Sequence, residues 1–197
     1  MSGEHETHLV DYARSILAGG GVVLIAGHSG SGRTTLLRRI AEAAAAAGAI
    51  VNTVTVDATT SAAAISALCT LRSEVLAIDD LDCTDPIPAL MANDDGTAIL
   101  ATCHAHDART AVGHLIDRSH HQGVSERAAQ RLVYTHVDLV LVTGRRDTTA
   151  IAPTTEPEVS IVSAHLVDDT TLVPVYVAGP DGDHLTLPAT DTGGARR

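Results

Sequence analysis

The sequence predicts an α/β fold in which a mainly parallel sheet carries helices on both faces. Short apolar runs alternate along the chain with stretches in which apolar residues recur at helical spacing. Strands that alternate with helices favour a parallel sheet, because each helix returns the chain to start the next strand in the same direction. With 197 residues, 45% of them hydrophobic, the chain is long enough to bury a good core in one domain of ordinary size.

Helical spacing predicts helices at 8–17, 35–47, 60–71, 86–92, 109–116 and 125–133. Apolar or β-branched runs predict strands at 21–26, 50–56, 75–78 and 137–142, with a further strand that starts at Gly96. Beyond residue 148 a Thr- and Pro-rich stretch precedes alternating strands at 159–167 and 172–177 and a short final strand. The sequence therefore predicts a core at 1–147, an antiparallel β appendage at 148–188 and a disordered tail at 189–197.

Charge and composition narrow the classes of function. The formal net charge is −11, which argues against a general nucleic-acid surface because phosphate binding depends on clustered positive charge. The three cysteines fit neither a disulfide framework nor a paired zinc motif, so a reducing compartment is expected. The amino terminus has no apolar segment of the signal-peptide type, and no stretch has the length of a membrane span. We expect a cytoplasmic protein that reaches a membrane only through a partner.

A glycine-rich stretch separates the first predicted strand from an amphipathic helix. Its residues, in order, are Gly27, His28, Ser29, Gly30, Ser31, Gly32, Arg33, Thr34 and Thr35. Gly27 and Gly32 stand at the two glycine positions of the phosphate-binding P-loop, and Thr34 stands where the Mg²⁺-binding hydroxyl belongs. Glycines let the backbone curl its N–H groups around an anion, and the helix amino terminus adds positive potential there. All nine residues are predicted to bind the nucleotide.

The loop departs from the P-loop pattern at Arg33, where the pattern has lysine. Arginine keeps the positive charge but replaces a compact ammonium with a wide planar fork. We therefore expect binding of a triphosphate to be retained better than its turnover. The structural alternative is an ordinary glycine-rich turn between a strand and a helix.

Two carboxylates follow the apolar run at 75–78. Asp79 and Asp80 therefore lie at the carboxyl end of a buried strand, at the same sheet edge as the glycine loop. This is a Walker B pattern, in which one acid holds Mg²⁺ and the other orients or deprotonates the attacking water. Asp79 and Thr34 are the predicted magnesium ligands. A strand that leaves the core into a solvated turn would carry the same residues.

The strand that starts at Gly96 runs into a loop containing Cys103, His104 and His106. His104 is predicted to sense the γ-phosphate, because an imidazole at this sheet edge can hydrogen-bond a phosphate oxygen or the water beside it. Two alternatives are a metal cluster made of these three side chains and a structural histidine with no contact to nucleotide. His120 and His121 are predicted to lie in a solvated loop.

Residues 96–117 resemble the His box and following helix of the secretion and pilus-assembly ATPases, the motors of type II secretion, type IV pili and tight adherence. In that family a strand leads to Ser/Thr-Leu-His-x-Asn-Asp-Ala, and His104 and Asp107-Ala108 match in place. The segment 129–133, Ala-Gln-Arg-Leu-Val, is similar to a helix of the same motors. The resemblance covers residues 13–146.

This resemblance implies a RecA-like P-loop NTPase that uses ATP and Mg²⁺. It places Asp57 near the family's Asp-box acid as a further catalytic candidate, and Asp79 and Asp82 at the acids of the Gly-Glu-Ile-Arg-Asp motif. It also implies a homo-oligomeric ring, usually a hexamer, with nucleotide between subunits and a membrane platform protein of a pilus or secretion apparatus as a partner.

Two other functions also fit the sequence. Three departures from the family pattern favour a nucleotide-gated regulatory or assembly subunit with little turnover. They are Arg33, the lack of arginines other than Arg72 between Asp57 and Asp79, and Leu81 in place of the motif's arginine. The run 78–81, Ile-Asp-Asp-Leu, suggests a DnaC-like AAA+ loader, although the acidic charge argues against the DNA surface that such a loader needs.

Overall fold

A computed structural model of the protein describes residues 2–57, 62–69, 73–144, 160–168, 170–178 and 183–187. The helices in these ranges are α1 (Ser2–Ala18), α2 (Arg33–Ala46), α3 (Ala62–Cys69), α4 (Ile87–Asp94), α5 (Ala108–His121) and α6 (Glu126–His136), with a 3₁₀ turn at Leu81–Cys83. The strands are β1 (Val22–Gly27), β2 (Val51–Thr55), β3 (Val75–Asp79), β4 (Ala98–His104), β5 (Val137–Gly144), β6 (Ser160–Asp168), β7 (Thr171–Val177) and β8 (His184–Leu185).

The described strands form one sheet in the order β2-β3-β4-β1-β5-β6-β7-β8. The first five strands of the chain run parallel, which confirms the predicted α/β fold. Strand β4 lies between β1, which precedes the glycine loop, and β3, which carries the two acids. This is the additional-strand, RecA-like order of a P-loop NTPase, and it gathers the carboxyl ends of β1, β3 and β4 at one edge.

The sheet is buried on both faces. Successive side chains of β1 point to opposite faces, so Val23 and Ile25 pack against α1 and α2, while Leu24 and Ala26 face the core shared with α4, α5 and α6. All six residues of β1 are buried. Burial on both faces explains why the strand is a continuous apolar run without polar alternation.

The carboxyl-terminal strands extend this same sheet. β6 pairs antiparallel with β5, and Leu141 lies opposite Ala164. Ile161, Ala164 and Tyr176 belong to the core that α1 and α2 cover. The predicted antiparallel strands are therefore present in the described residues and share the core of the parallel strands, while the boundary at 147/148 stays a prediction.

The largest differences between the observed helices and the sequence predictions are in α1 and α5. α1 begins at Ser2, well before residue 8, and Glu6 in the added turns forms an ion pair with Arg39 of α2. The solvated loop predicted at His120 and His121 is wrong, because α5 continues through both. His121 Nδ1 bonds the carbonyl oxygen of Asp117 in the last turns, and His120 Nδ1 bonds that of Val124 beyond the helix end, while both basic side chains complement the helix dipole.

Some predicted features lie outside the described residues, namely the Thr- and Pro-rich stretch at 148–157, the tail at 189–197 and the ends of the helix predicted at 60–71. Within the described ranges, no helix combines the length and the apolar character needed to cross a membrane.

Candidate functional site

The glycine loop joins the carboxyl end of β1 to the first turn of α2. Gly30 and Gly32 have φ of 74° and 90°, in the left-handed region that favours glycine. Gly32 caps α2 without any side-chain hydrogen bond to the first turn. The amides at the start of α2 therefore have no side-chain cap competing for them, which is the arrangement that binds phosphate at a helix amino terminus.

Gly27 is enclosed by two hydroxyl groups. A Cβ at Gly27 would lie 2.2 Å from Ser31 Oγ and 2.2 Å from Thr143 Oγ1. These two hydroxyls are hydrogen-bonded at 2.8 Å, and Thr143 Oγ1 donates to the carbonyl of Ala26 at 3.1 Å. The loop is thus tied to the end of β5 through a contact that leaves no room for a side chain at position 27.

Arg33 is the first residue of α2, and its side chain is 13% exposed. Its Nη1 lies 3.0 Å from Asp80 Oδ1 in an ion pair. The same nitrogen is buried and its N–H is not aligned to complete a hydrogen bond with any described group. A buried cationic donor with unused hydrogen-bonding capacity, next to anion-binding amides, is suited to an additional anion such as a phosphate oxygen.

Asp79 is buried at the end of β3 and receives two hydroxyl hydrogen bonds. Thr34 Oγ1 donates to Asp79 Oδ2 at 2.9 Å, and Thr102 Oγ1 donates to Asp79 Oδ1 at 2.6 Å. The first bond joins the loop hydroxyl and the strand carboxylate that the sequence predicts as magnesium ligands. The structure therefore brings Thr34 and Asp79 together.

Asp80 has an unusual backbone conformation. Its φ of 64° and ψ of 49° are left-handed, and it is the single non-glycine residue with positive φ in the described ranges. This conformation costs a non-glycine residue roughly 1–2 kcal/mol, less for Asp and Asn than for most. The Asp80 N–H donates to Thr102 Oγ1 at 2.8 Å, and its carboxylate pairs with Arg33, so both ends of the residue are held.

His104 ends β4 directly beside the start of the loop, since it pairs in register with Gly27. Its side chain is exposed, and its backbone N–H donates to Asp82 Oδ2 at 3.1 Å. The ring centroid of His28 lies 5.9 Å from that of His104 and 6.3 Å from that of His106. Three imidazoles therefore lie close together at the glycine loop.

The remaining predicted residues occupy three places. His28, Ser29 and Gly30 form the exposed tip of the loop, and Thr35 is exposed on α2. Asp57 follows β2, which is separated from β1 by β3 and β4. With neighbouring strands about 4.8 Å apart, Asp57 lies at the correct edge but well to the side of the loop.

Two hydroxyl residues at the site were not predicted from the sequence. Thr102 is fully buried and contacts both acids, and Thr143 is buried against Gly27 and Ser31. Each occurs near the carboxyl end of a mainly apolar strand of the parallel part of the sheet. A threonine within two residues of the carboxyl end of a strand, at the sheet edge that carries the glycine loop, is the sequence pattern that could have identified them.

The chemistry of these groups fits a nucleotide bound with Mg²⁺. The ion prefers oxygen ligands and is usually held by one or two protein oxygens together with substrate phosphates and water. Thr34 and Asp79 offer such oxygens, 2.9 Å apart. Three carboxylates, those of Asp79, Asp80 and Asp82, lie at the end of β3, where Asp80 pairs with the Arg33 guanidinium, so this edge has negative charge for a cation to neutralise.

The alternative metal cluster at Cys103, His104 and His106 finds no support. Within the described ranges, no group of three or more His, Cys, Asp or Glu side chains could hold a metal ion. Cys103 is fully buried, and burial raises the pKa of its thiol far above the usual range, so the thiolate that a metal requires is disfavoured.

His106 and Asp107 directly precede α5. The Asp107 carboxylate caps the helix by accepting the Thr110 N–H at 2.7 Å, and this bond lowers the pKa of Asp107. His106 Nε2 lies 2.9 Å from the other carboxylate oxygen. Asp107 thus fixes where α5 begins, next to the glycine loop.

The protein family described as Novel STAND NTPase 5 matches residues 8–116. This segment is more than half of the chain and runs from α1 to α5, so it includes the glycine loop, both acids and His104. No curated protein sequence matches the chain.

Solved structures of secretion ATPases are similar in fold. The VirB11 ATPase of the Brucella suis type IV secretion system is 16% identical with a TM-score of 0.59, covering 80% of this chain and 52% of that one. The Legionella pneumophila ATPase DotB is 15% identical with a TM-score of 0.60, covering 81% and 49%. The Yersinia pseudotuberculosis DotB is 14% identical with a TM-score of 0.55, covering 82% and 46%. The chain spans about half the length of these structures, and at such identities the likeness concerns the fold.

Proposed function

The chain belongs to the Novel STAND NTPase 5 family, and from this premise we propose that it binds ATP with Mg²⁺ at residues 27–35 and hydrolyses it. The observation that carries the proposal is the 2.9 Å contact between Thr34 and Asp79, beside the buried guanidinium of Arg33. A loop hydroxyl, a strand carboxylate and a cation at one helix amino terminus are the parts that phosphoryl transfer requires.

Each residue has a distinct role in this proposal. The amides of the loop and Arg33 bind phosphate oxygens, and Thr34 and Asp79 hold Mg²⁺, which neutralises phosphate charge when bound. Asp80 takes a proton from the attacking water while His104 hydrogen-bonds an oxygen of the γ-phosphate. The water oxygen bonds to the γ-phosphorus, the bond to the β,γ-bridging oxygen breaks with its electron pair on ADP, and the products are ADP and inorganic phosphate.

The Arg33–Asp80 ion pair favours a second candidate, a nucleotide-gated regulatory or assembly subunit with little turnover. In the structure this pair occupies both the cation needed by the phosphates and the carboxylate proposed as base. In this candidate, the phosphates of ATP compete with Asp80 for Arg33, and binding breaks the pair. A site that must first break its own ion pair is suited to report nucleotide binding even when hydrolysis is slow.

Replacing Arg33 with lysine distinguishes the two candidates. Arg33→Lys is expected to keep ATP affinity within about threefold and to raise kcat by roughly two- to tenfold, because a compact ammonium follows the transferred phosphoryl group and releases Asp80 more readily. Phosphate release and calorimetry measure the two quantities. Arg38→Lys, on an exposed position of the same helix, is the matched control and should change neither. A kcat below that of the wild type would show that the arginine is adapted to this site.

A role in a pilus or secretion apparatus is a further part of the proposal. It rests on the resemblance carried by His104, by Asp107-Ala108 and by the helix at 129–133. The ring, the membrane partner and the cytoplasmic location belong to the same proposal. Phosphate release measured across protein concentration tests the ring, since a site completed by a neighbouring subunit gains activity as subunits associate. Turnover that is absent at every concentration, while ATP changes the oligomeric state, would favour the regulatory candidate.

A further inference from the structure

Thr102 connects the two acids of the site through a single hydroxyl group. It lies on β4 opposite Ile25 of β1, on the sheet face that α2 covers. Its side chain is fully buried. The strand places it between the loop and β3, so its hydroxyl faces the point where Asp79 and Asp80 leave the sheet.

The two hydrogen bonds of this hydroxyl have fixed directions. A threonine hydroxyl has one proton to donate and lone pairs to accept. The hydroxyl donates its hydrogen bond to Asp79 Oδ1 at 2.6 Å and accepts one from the Asp80 N–H at 2.8 Å. One side chain thus fixes the carboxylate of the first acid and the backbone of the second.

Both bonds act on geometry that the chemistry needs. Asp79 has one oxygen on Thr102, which leaves the other to face Thr34 at 2.9 Å. Asp80 has a left-handed backbone that places its carboxylate 3.0 Å from Arg33. Without the bond to Thr102, the Asp80 amide would lose its partner and the left-handed conformation would lose one of its two supports.

We propose that Thr102 is a positioning residue for ATP hydrolysis, which holds Asp79 toward Thr34 and keeps Asp80 in the conformation that aims its carboxylate at the γ-phosphate side of the loop. The inference rests on the proposed function and deepens it. Thr102 is fully buried and its hydroxyl bonds both acids, so its effect should appear in turnover more than in binding.

Substitution at Thr102 separates positioning from simple packing. Thr102→Val keeps the branched shape and removes the hydroxyl, and Thr102→Ser keeps the hydroxyl. Thr102→Val is expected to lower kcat on the order of 10-fold or more with ATP affinity within about threefold, because a small misplacement of a catalytic group is costly. Thr102→Ser should return kcat to within about threefold of the wild type.

Ser119→Ala is the matched control for loss of a buried hydroxyl. Ser119 is fully buried in α5, and its hydroxyl has no hydrogen-bond partner in the described ranges. Ser119→Ala should leave kcat unchanged. If Thr102→Val does not fold by circular dichroism, Thr102→Ala replaces it. Equal turnover of wild type and the hydroxyl-free variant, or no recovery in Thr102→Ser, would overturn the proposal.

Hydrogen exchange at the Asp80 amide tests the same contact without turnover. Thr102→Val should speed exchange of this amide on the order of tenfold or more, while Thr102→Ser and Ser119→Ala leave it protected. Unchanged exchange in Thr102→Val contradicts the role of Thr102 whatever the activity. A wild type that binds ATP but releases no phosphate contradicts the proposed hydrolysis instead, so the two failures are distinct.

Discussion

Asp80→Asn is expected to lower ATP turnover by on the order of 10²-fold while ATP still binds, because the substitution removes the carboxylate that takes the proton from water. Asparagine tolerates the left-handed backbone found at this position, so the fold should be retained. The variant also frees Arg33 from its 3.0 Å ion pair. ATP affinity should therefore equal or exceed that of the wild type.

Single-turnover phosphate release and calorimetry measure these two effects separately. Asp117→Asn, on an exposed position of α5, removes one negative charge away from the site and is the control. Turnover of Asp80→Asn close to the wild-type value would exclude Asp80 as the base. Weaker ATP binding would show that the Arg33–Asp80 pair does not compete with nucleotide.

Gly27→Ala is expected to weaken ATP binding by roughly 5- to 150-fold, the equivalent of the 1–3 kcal/mol that overpacking costs. The added Cβ would meet Ser31 Oγ and Thr143 Oγ1 at 2.2 Å and Arg33 Cγ at 3.0 Å. These hydroxyls are buried and bonded to each other, so the loop must move to accommodate the methyl group. Displacement of the loop moves the amides that bind phosphate.

Gly113→Ala is the matched control, because a Cβ at this helical glycine meets nothing within 4 Å. It should leave ATP affinity unchanged and stabilise the fold slightly, since alanine has fewer unfolded conformations to lose. Calorimetry on both variants, with thermal unfolding as a check on folding, makes the comparison. Equal ATP affinity in Gly27→Ala and the wild type would mean that phosphate binding does not depend on the observed loop geometry.

The order of the elements could be predicted from the sequence because each signal is local. Apolar runs bounded by glycine, such as the run before Gly27, predict strands. The end of the apolar run at Ile78 likewise predicts that the two carboxylates after it lie at a strand end. The register of β1 with β4, which sets His104 beside Gly27, is a contact between distant segments and is visible only in the structure. The same holds for the extension of the sheet by β6.

Details of the site depended on tertiary contacts that no local pattern encodes. Asp80 has a left-handed backbone because Thr102 and Arg33 hold it, and both partners are distant in the chain. Thr102 itself resembles any β-branched strand residue until its hydroxyl is seen between two acids. α5 extends past the predicted end at residue 116 to His121, whose ring bonds the Asp117 carbonyl, while the His120 ring bonds the carbonyl of Val124 in the segment that follows.

Calorimetric titration of ATP into the wild type and Thr34→Ala, with and without Mg²⁺, tests nucleotide binding at the loop most directly. The wild type should bind ATP, and affinity should fall roughly tenfold or more when Mg²⁺ is removed or when Thr34 loses the hydroxyl that faces Asp79. Removal of Mg²⁺ should then have little further effect on Thr34→Ala. Absence of ATP binding by the folded wild type at millimolar nucleotide would contradict the proposed function at its first step.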